Sequence, residues 1–266
     1  MKFLIIGNRG SMGQRRTKHL KELGHEVTGW DILDKTPMPI VQDCDGVIVS
    51  TPPDQHESYF CNISLPTFVE ASVLPYKPRG NLFPSCTMRF HPTVEYLRQH
   101  LKDTNPLAFI YHIGNYLPDW HPNEDYRKKY FAKYETGGAR EIVAYELHWL
   151  TDVFGPLGMA LALGDKLSKL QMEADDHYAV NMDFKSKVRG TMVVELLSRP
   201  RIRDFKLIYE GKMEQYNMDD VDWEAVYRRE IKCWVDTFGG GEWPYSVEED
   251  LEILNQLFKE DEENEN

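Results

Sequence analysis

The chain has 266 residues, 41% of them hydrophobic and 12% aromatic, enough to build one large domain or two modest ones around a real core. Its formal net charge of −12 opposes attraction to a phosphate backbone or an anionic membrane surface, so neither nucleic acid nor membrane is an expected partner. No segment approaches ~18 apolar residues, no signal cleavage site follows the first strand, and Cys44, Cys61, Cys86 and Cys233 make no metal or redox spacing, so a cytoplasmic protein with reduced thiols and no metal is expected.

Residues 2–6 are a short apolar run ended by Gly7. A helical pattern follows to residue 23 and stops at Gly24, which together reads as strand, tight turn and helix. The turn carries Gly7, Gly10 and Gly13 in a G-x-x-G-x-x-G spacing. Glycines at such a turn let a diphosphate reach main-chain N–H groups at a helix N-terminus, where a Cβ would block it. The next apolar run, residues 26–30, ends at Asp31, placed to offer a carboxylate to a ribose 2′-hydroxyl. The plainer alternative is a glycine turn that only packs helix on strand.

Residues 32–40 are too few and too proline-rich for a full crossover helix, with a possible short strand at 39–41. A buried strand at 45–51 stops at Pro52-Pro53, and a short helix over 54–62 follows. Strands are expected at 65–70, ending at Glu70, and at 85–90, before Pro92 opens a helix through Leu101. From residue 107 the pattern changes. Runs at 107–113, 179–184, 188–197 and 204–209 lack helices between them, which implies antiparallel pairing. Helices are expected at 140–154, closed by Gly155-Pro156, at 223–238 and at 247–258. The fold class is α/β: a Rossmann dinucleotide-binding domain over 1–105, an α/β substrate and oligomerisation domain with an open, mainly antiparallel sheet over 106–258, and an acidic tail over 259–266.

On the helix at 140–154, Glu141, Tyr145, His148 and Asp152 recur at steps that keep them on one face. A carboxylate, a phenol and an imidazole in one stripe suit proton transfer; satisfied core residues with a solvated edge are the alternative. The loop around Trp120, His121 and Tyr126 suits stacking on a sugar ring, or is an Ω-loop packed by its own aromatics. Arg89 and His91 could meet an anionic group of a substrate.

Taken together, Gly10-Ser11-Met12-Gly13, the segment from Asp45 through Thr51-Pro52-Pro53-Asp54-Gln55-His56, Phe68-Val69-Glu70, Met88-Arg89-Phe90-His91-Pro92 and the stretch from Phe238 to Leu254 resemble the glucose–fructose oxidoreductase, inositol dehydrogenase and MocA (Gfo/Idh/MocA) family of NAD(P)-dependent enzymes. The resemblance implies a sugar, polyol or related substrate held between the two domains, and self-association through the open sheet as a dimer or tetramer. It implies cofactor contacts from Gly7, Arg9, Gly10, Ser11, Met12, Gly13, Asp31, Thr51, Pro52, His56 and Glu70. The crossovers at 32–40 and 74–84 are shorter than the family's. Two departures concern chemistry: the family's lysine after the glutamate is Ala71, and its acid/base histidine is Tyr145, with His148 where the family has Asp. Catalytic duty therefore falls to Tyr145, His148 or Glu141. The expected function is an oxidoreductase acting on a carbohydrate-type hydroxyl or carbonyl; a non-catalytic dinucleotide- or sugar-binding regulatory protein is the alternative. Asp31, with no arginine directly after it, favours NAD over NADP.

Overall fold

The structure is a computed structural model that describes residues 1–264 except His121 and Asn123, with side chains described to residue 256. The chain divides into two compact units: Met1–Phe90 with Trp223–Glu252, and His91–Asp222 with Ile253–Asn266. The first unit thus recruits a segment from far along the chain, which a division of the sequence at residue 105 does not express.

In the first unit, β1 (Lys2–Ile6), α1 (Ser11–Glu22), β2 (Glu26–Trp30), β3 (Gly46–Val49), α2 (His56–Phe60), β4 (Thr67–Val69) and β5 (Leu82–Pro84) follow in order. Their strands form one parallel sheet, β2-β1-β3-β4-β5. Such a sheet needs cover on both faces, so its central strands read as unbroken apolar runs. On one face Leu4, Ile6, Val47, Val49 and Phe60 form a core; on the other Phe3, Ile5, Leu20, Ile48 and Phe68 do the same.

No helix joins β2 to β3 or β4 to β5. The expected strand at 39–41 is absent: a 3₁₀ turn at Val41–Asp43 stands there. The strand expected at 85–90 is also absent, because β5 ends at Pro84 and a 3₁₀ turn occupies Thr87–Phe90. The cause is long-range. Ser85 Oγ, Cys86 N and Thr87 Oγ1 all donate to the buried Glu230 carboxylate, at 2.7 to 2.8 Å, which bends the backbone out of a ladder.

The second unit begins with α3 (Pro92–His100) and β6 (Ala108–Gly114), then α4 (Ala139–Phe154), β7 (Leu157–Asp165), β8 (His177–Phe184), β9 (Arg189–Glu195), β10 (Ile202–Tyr209) and β11 (Lys212–Asn217). The sheet order is β11-β10-β6-β9-β8-β7, antiparallel throughout except for β6 against β9. α4 is pinned to this sheet by Glu146, whose carboxylate accepts from Tyr111 (2.9 Å), Trp149 (2.6 Å) and Arg203. The opposite face is open, with Met159, Leu161 and Leu163 of β7 and Ile110 of β6 exposed. The last helices are α5 (Trp223–Thr237), whose Ile231 and Trp234 complete one core of the first unit, and α6 (Val247–Asn264). Among the described residues no helix is long and apolar enough to cross a membrane.

His91 has a structural duty rather than a ligand. Its Nδ1 accepts the Thr93 N–H at 3.2 Å as the N-cap of α3, and its Nε2 meets the Met218 carbonyl at 2.9 Å, so the neutral ring satisfies both partners. Burial pushes its pKa down to about 4. The unfolded chain therefore takes up a proton below about pH 6.5 that the folded chain refuses until about pH 4. Stability from this site is complete above the higher value and declines as pH falls through that window. In urea unfolding at pH 4.5 and 7.5, His91→Asn is expected to show a smaller difference between the two pH values than the wild type, by about 1 kcal/mol or more. An unchanged difference would contradict this role.

Candidate functional site

In the first unit the site candidate is the turn between β1 and α1. Gly7 has φ +84°, and a Cβ there would lie 2.4 Å from the Ser50 carbonyl oxygen; at Gly13 it would lie 2.2 Å from the Gly7 oxygen. Both positions are glycine because the protein's own backbone leaves no room. Gly10 is different: a Cβ would come no closer than 3.4 Å, φ is −67°, and the residue is exposed as the N-cap of α1. No side chain caps that helix and no acidic residue sits in its first turn, so its N–H groups and dipole face outward uncompensated.

Two polar atoms flanking the turn point the same way. Asn8 Oδ1 and Thr51 Oγ1 are buried, and each lacks a hydrogen-bond partner among the described residues. Buried polar atoms of this kind normally have a partner, so these fit a ligand seated on the turn. Asp31 stands at the end of β2, buried, its carboxylate accepting Leu33 N (3.1 Å) and Arg9 N (3.4 Å). Arg9 pairs with Asp34, which also accepts Asp31 N at 2.8 Å. Asp34 was not evident from the sequence; its spacing from Asp31 carries no motif.

Other expected contacts have internal employment. His56 Nε2 meets the Thr51 carbonyl at 2.8 Å, and burial lowers the ring's pKa to about 4, so this histidine is a neutral clamp on the loop after β3. Glu70 receives a bidentate pair from Arg16, at 2.7 and 3.0 Å, and Arg16 also donates to Glu230 at 2.8 Å. Arg16 is fully buried, and its two carboxylates hold its pKa above the ordinary range against the cost of burial. The signal for Arg16 was available: it shares a stripe of α1 with Gly13 and Leu20, a charge on a buried face. Arg89 is buried too, bonded to the Pro244 carbonyl and to Glu249 (3.2 Å) and stacked 4.5 Å above the Tyr245 ring. It anchors the returning C-terminal segment.

In the second unit the face of α4 carries Glu141, half-buried, Tyr145, half-buried, and His148, buried. The Tyr145 and His148 rings meet edge to face at 5.7 Å. Glu141 accepts the Tyr130 hydroxyl at 3.0 Å, and burial pushes its carboxyl up to about 7, opposed by that hydrogen bond. Asp152, farther along the helix, is bound by Arg98 at 2.8 Å, and Arg140 donates to the Tyr134 and Glu135 carbonyls. Trp120 packs on Phe131 at 5.7 Å, with its Nε1 buried and without an acceptor among the described residues. The Tyr126 hydroxyl accepts Gln171 N at 3.2 Å. His121 lies outside the described residues.

No protein-family model and no curated protein sequence matches the chain. Solved structures do. A probable dehydrogenase from Thermotoga maritima superposes with a TM-score of 0.78 at 14% identity, covering 99% of this chain and 97% of its own. A myo-inositol dehydrogenase from Corynebacterium glutamicum gives 0.73 at 12%, covering 98% and 96%. The chain shares the fold of these two proteins. The WlbA dehydrogenase from Bordetella pertussis, solved with NADH and UDP-GlcNAcA, shares that fold with a TM-score of 0.74 at 14% identity over 99% of this chain and 97% of its own. Each of these superpositions spans nearly the whole of both chains.

Proposed function

We propose that the chain is an NAD-dependent oxidoreductase acting on a hydroxyl or carbonyl carbon of a sugar, polyol or sugar derivative. The observation that carries this reading is Gly10: the fold has room for a side chain there, none is present, and the position caps an open helix N-terminus at a turn where Asn8 Oδ1 and Thr51 Oγ1 are buried without a partner among the described residues. Gly10, Ser11, Met12 and Gly13 would hold the diphosphate, and Asp31 the adenosine ribose. When bound, the nicotinamide supplies hydride acceptance and donation.

NAD rather than NADP follows from charge. Asp31 and Asp34 stand together at the end of β2, and Arg9 is already neutralised by Asp34, so a 2′-phosphate would meet two carboxylates and no spare cation from this turn. Trp120 and Tyr126 would contribute to carbohydrate recognition and the α4 stripe to proton transfer. Self-association through the exposed aliphatic face of β7 and β6, as a dimer or tetramer, belongs to the same proposal. A binding-only role is the second reading, favoured by Ala71 and Tyr145 at the positions where the family carries Lys and His.

The two separate in one assay. A panel of sugars, inositols and nucleotide sugars is mixed with NAD, and formation of reduced nicotinamide is followed by absorbance. Turnover of at least one member, reduced about 100-fold or more in Glu141→Gln, is expected. Saturable NAD binding with no turnover of any member would favour the regulatory reading.

A further inference from the structure

The stripe on α4 offers three groups for proton transfer, and the structure distinguishes them. Glu141 Oε1 accepts the Tyr130 hydroxyl at 3.0 Å, from the 3₁₀ turn Tyr130–Ala132. Its Oε2 is buried and has no hydrogen-bond partner among the described residues. A buried carboxylate oxygen without a donor is costly, and one persists where a ligand supplies the missing group. A second orphan belongs to the same packed segment: the Trp120 indole N–H, whose ring rests on Phe131, which in turn packs against Tyr130 at 5.4 Å. The carboxylate oxygen needs a donor and the indole N–H needs an acceptor, and a polyol hydroxyl can serve as either.

We propose that Glu141 takes the proton from the substrate hydroxyl, and that Tyr130 is the positioning residue that orients the carboxyl and sets the pH at which it works. The proposal rests on the reading of the chain as a nicotinamide-dependent oxidoreductase. In the oxidative direction the alcohol O–H bond breaks and its proton goes to Oε2 of Glu141. The electron pair of that bond closes the C=O, and the C–H pair would leave as the hydride that a bound oxidised nicotinamide would supply the capacity to accept. The two electrons lost by the alcohol would thus be accounted for, and Glu141 ends neutral.

Tyr145 is less suited, because a phenol ordinarily ionises near pH 10. His148 is 3% exposed and packs edge to face on the Tyr145 ring. Glu141 is half-buried, and its carboxyl, pushed up to about 7, exchanges protons at neutral pH in the range where a general base is most effective. Burial dominates this rise, and the titratable group bonded to the carboxyl is Tyr130; Tyr145 and His148 follow on the same helix. The Tyr130 hydrogen bond stabilises the ionised form, so its loss raises the midpoint further.

The test begins without substrate or cofactor. Protein labelled with ¹³C at glutamate carboxyl carbons is titrated by NMR, with the Glu141 signal assigned by its disappearance in Glu141→Gln. The wild type is expected to show a midpoint near 7, and Tyr130→Phe a midpoint higher by about 0.5 or more. With a substrate found in the panel, the acid limb of the kcat profile should move upward in Tyr130→Phe by the same amount, with KM changed less than kcat. A wild-type midpoint below about 5.5, an unmoved midpoint in Tyr130→Phe, or full turnover in Glu141→Gln overturns the proposal. The last two leave the oxidoreductase reading standing. Absence of turnover with every alcohol overturns that reading and the catalytic role with it, while the NMR midpoints still decide whether Tyr130 sets the carboxyl's titration.

Discussion

Arg16→Met is expected to destabilise the first unit by about 3–5 kcal/mol. The guanidinium is fully buried and holds Glu70 at the end of β4 and Glu230 on α5; it also lies 4.8 Å over the Phe68 ring. Removing it strands two carboxylates in a desolvated setting. Glu230 retains Ser85, Cys86 and Thr87, whereas Glu70 keeps, among the described residues, the longer bond from Ser50 at 3.3 Å. Breaking one partner of a buried pair costs far more than the pair itself is worth, because the survivors remain charged. Arg16→Met with Glu70→Gln and Glu230→Gln is therefore expected to recover much of the loss. The measurement is urea unfolding followed by tryptophan fluorescence, with Trp234 in the first unit's core as reporter. A loss under about 1 kcal/mol in the single variant would contradict the account.

The second large effect separates two glycines three residues apart. Gly13→Ala places a methyl group 2.2 Å from the Gly7 oxygen and should destabilise the fold by several kcal/mol. Gly10→Ala meets ordinary contacts at 3.4 Å and should cost no more than about 1 kcal/mol, chiefly as a poorer helix cap. Its effect falls on binding: a methyl group where the diphosphate approaches the backbone should weaken NAD about 10-fold or more, by calorimetric titration. Equal NAD affinity in Gly10→Ala and wild type would show that the turn serves packing alone.

These two predictions also mark what the sequence could and could not disclose. The first strand, the glycine turn, the helix and Asp31 were legible because they are local: an apolar run, a period of 3.6 and a carboxylate at the strand's end. α4 and α5 were legible for the same reason. β7 was not, since its Met159, Leu161 and Leu163 face outward on the open sheet, so its apolar residues mark the wrong side for a core. β11 was hidden by its polar edge-strand sequence, Lys-Met-Glu-Gln-Tyr-Asn. The turn at Thr87–Phe90 read as a strand because the carboxylate that bends it, Glu230, lies more than a hundred residues away. In the candidate site, Glu70, His56 and Arg89 follow from motif, and the fold gives each a partner within the protein; Tyr130, which addresses Glu141, belongs to no motif.

NAD binding at the turn from Gly7 to Gly13 underlies the proposed chemistry. It is tested most directly by the melting temperature of the wild-type protein with about 1 mM NAD, with NADP at the same concentration, and with neither. A rise of about 2 °C or more with NAD, a smaller one with NADP and loss of both in Gly10→Ala is the predicted result. No rise with either dinucleotide, or a rise that Gly10→Ala leaves intact, would contradict it.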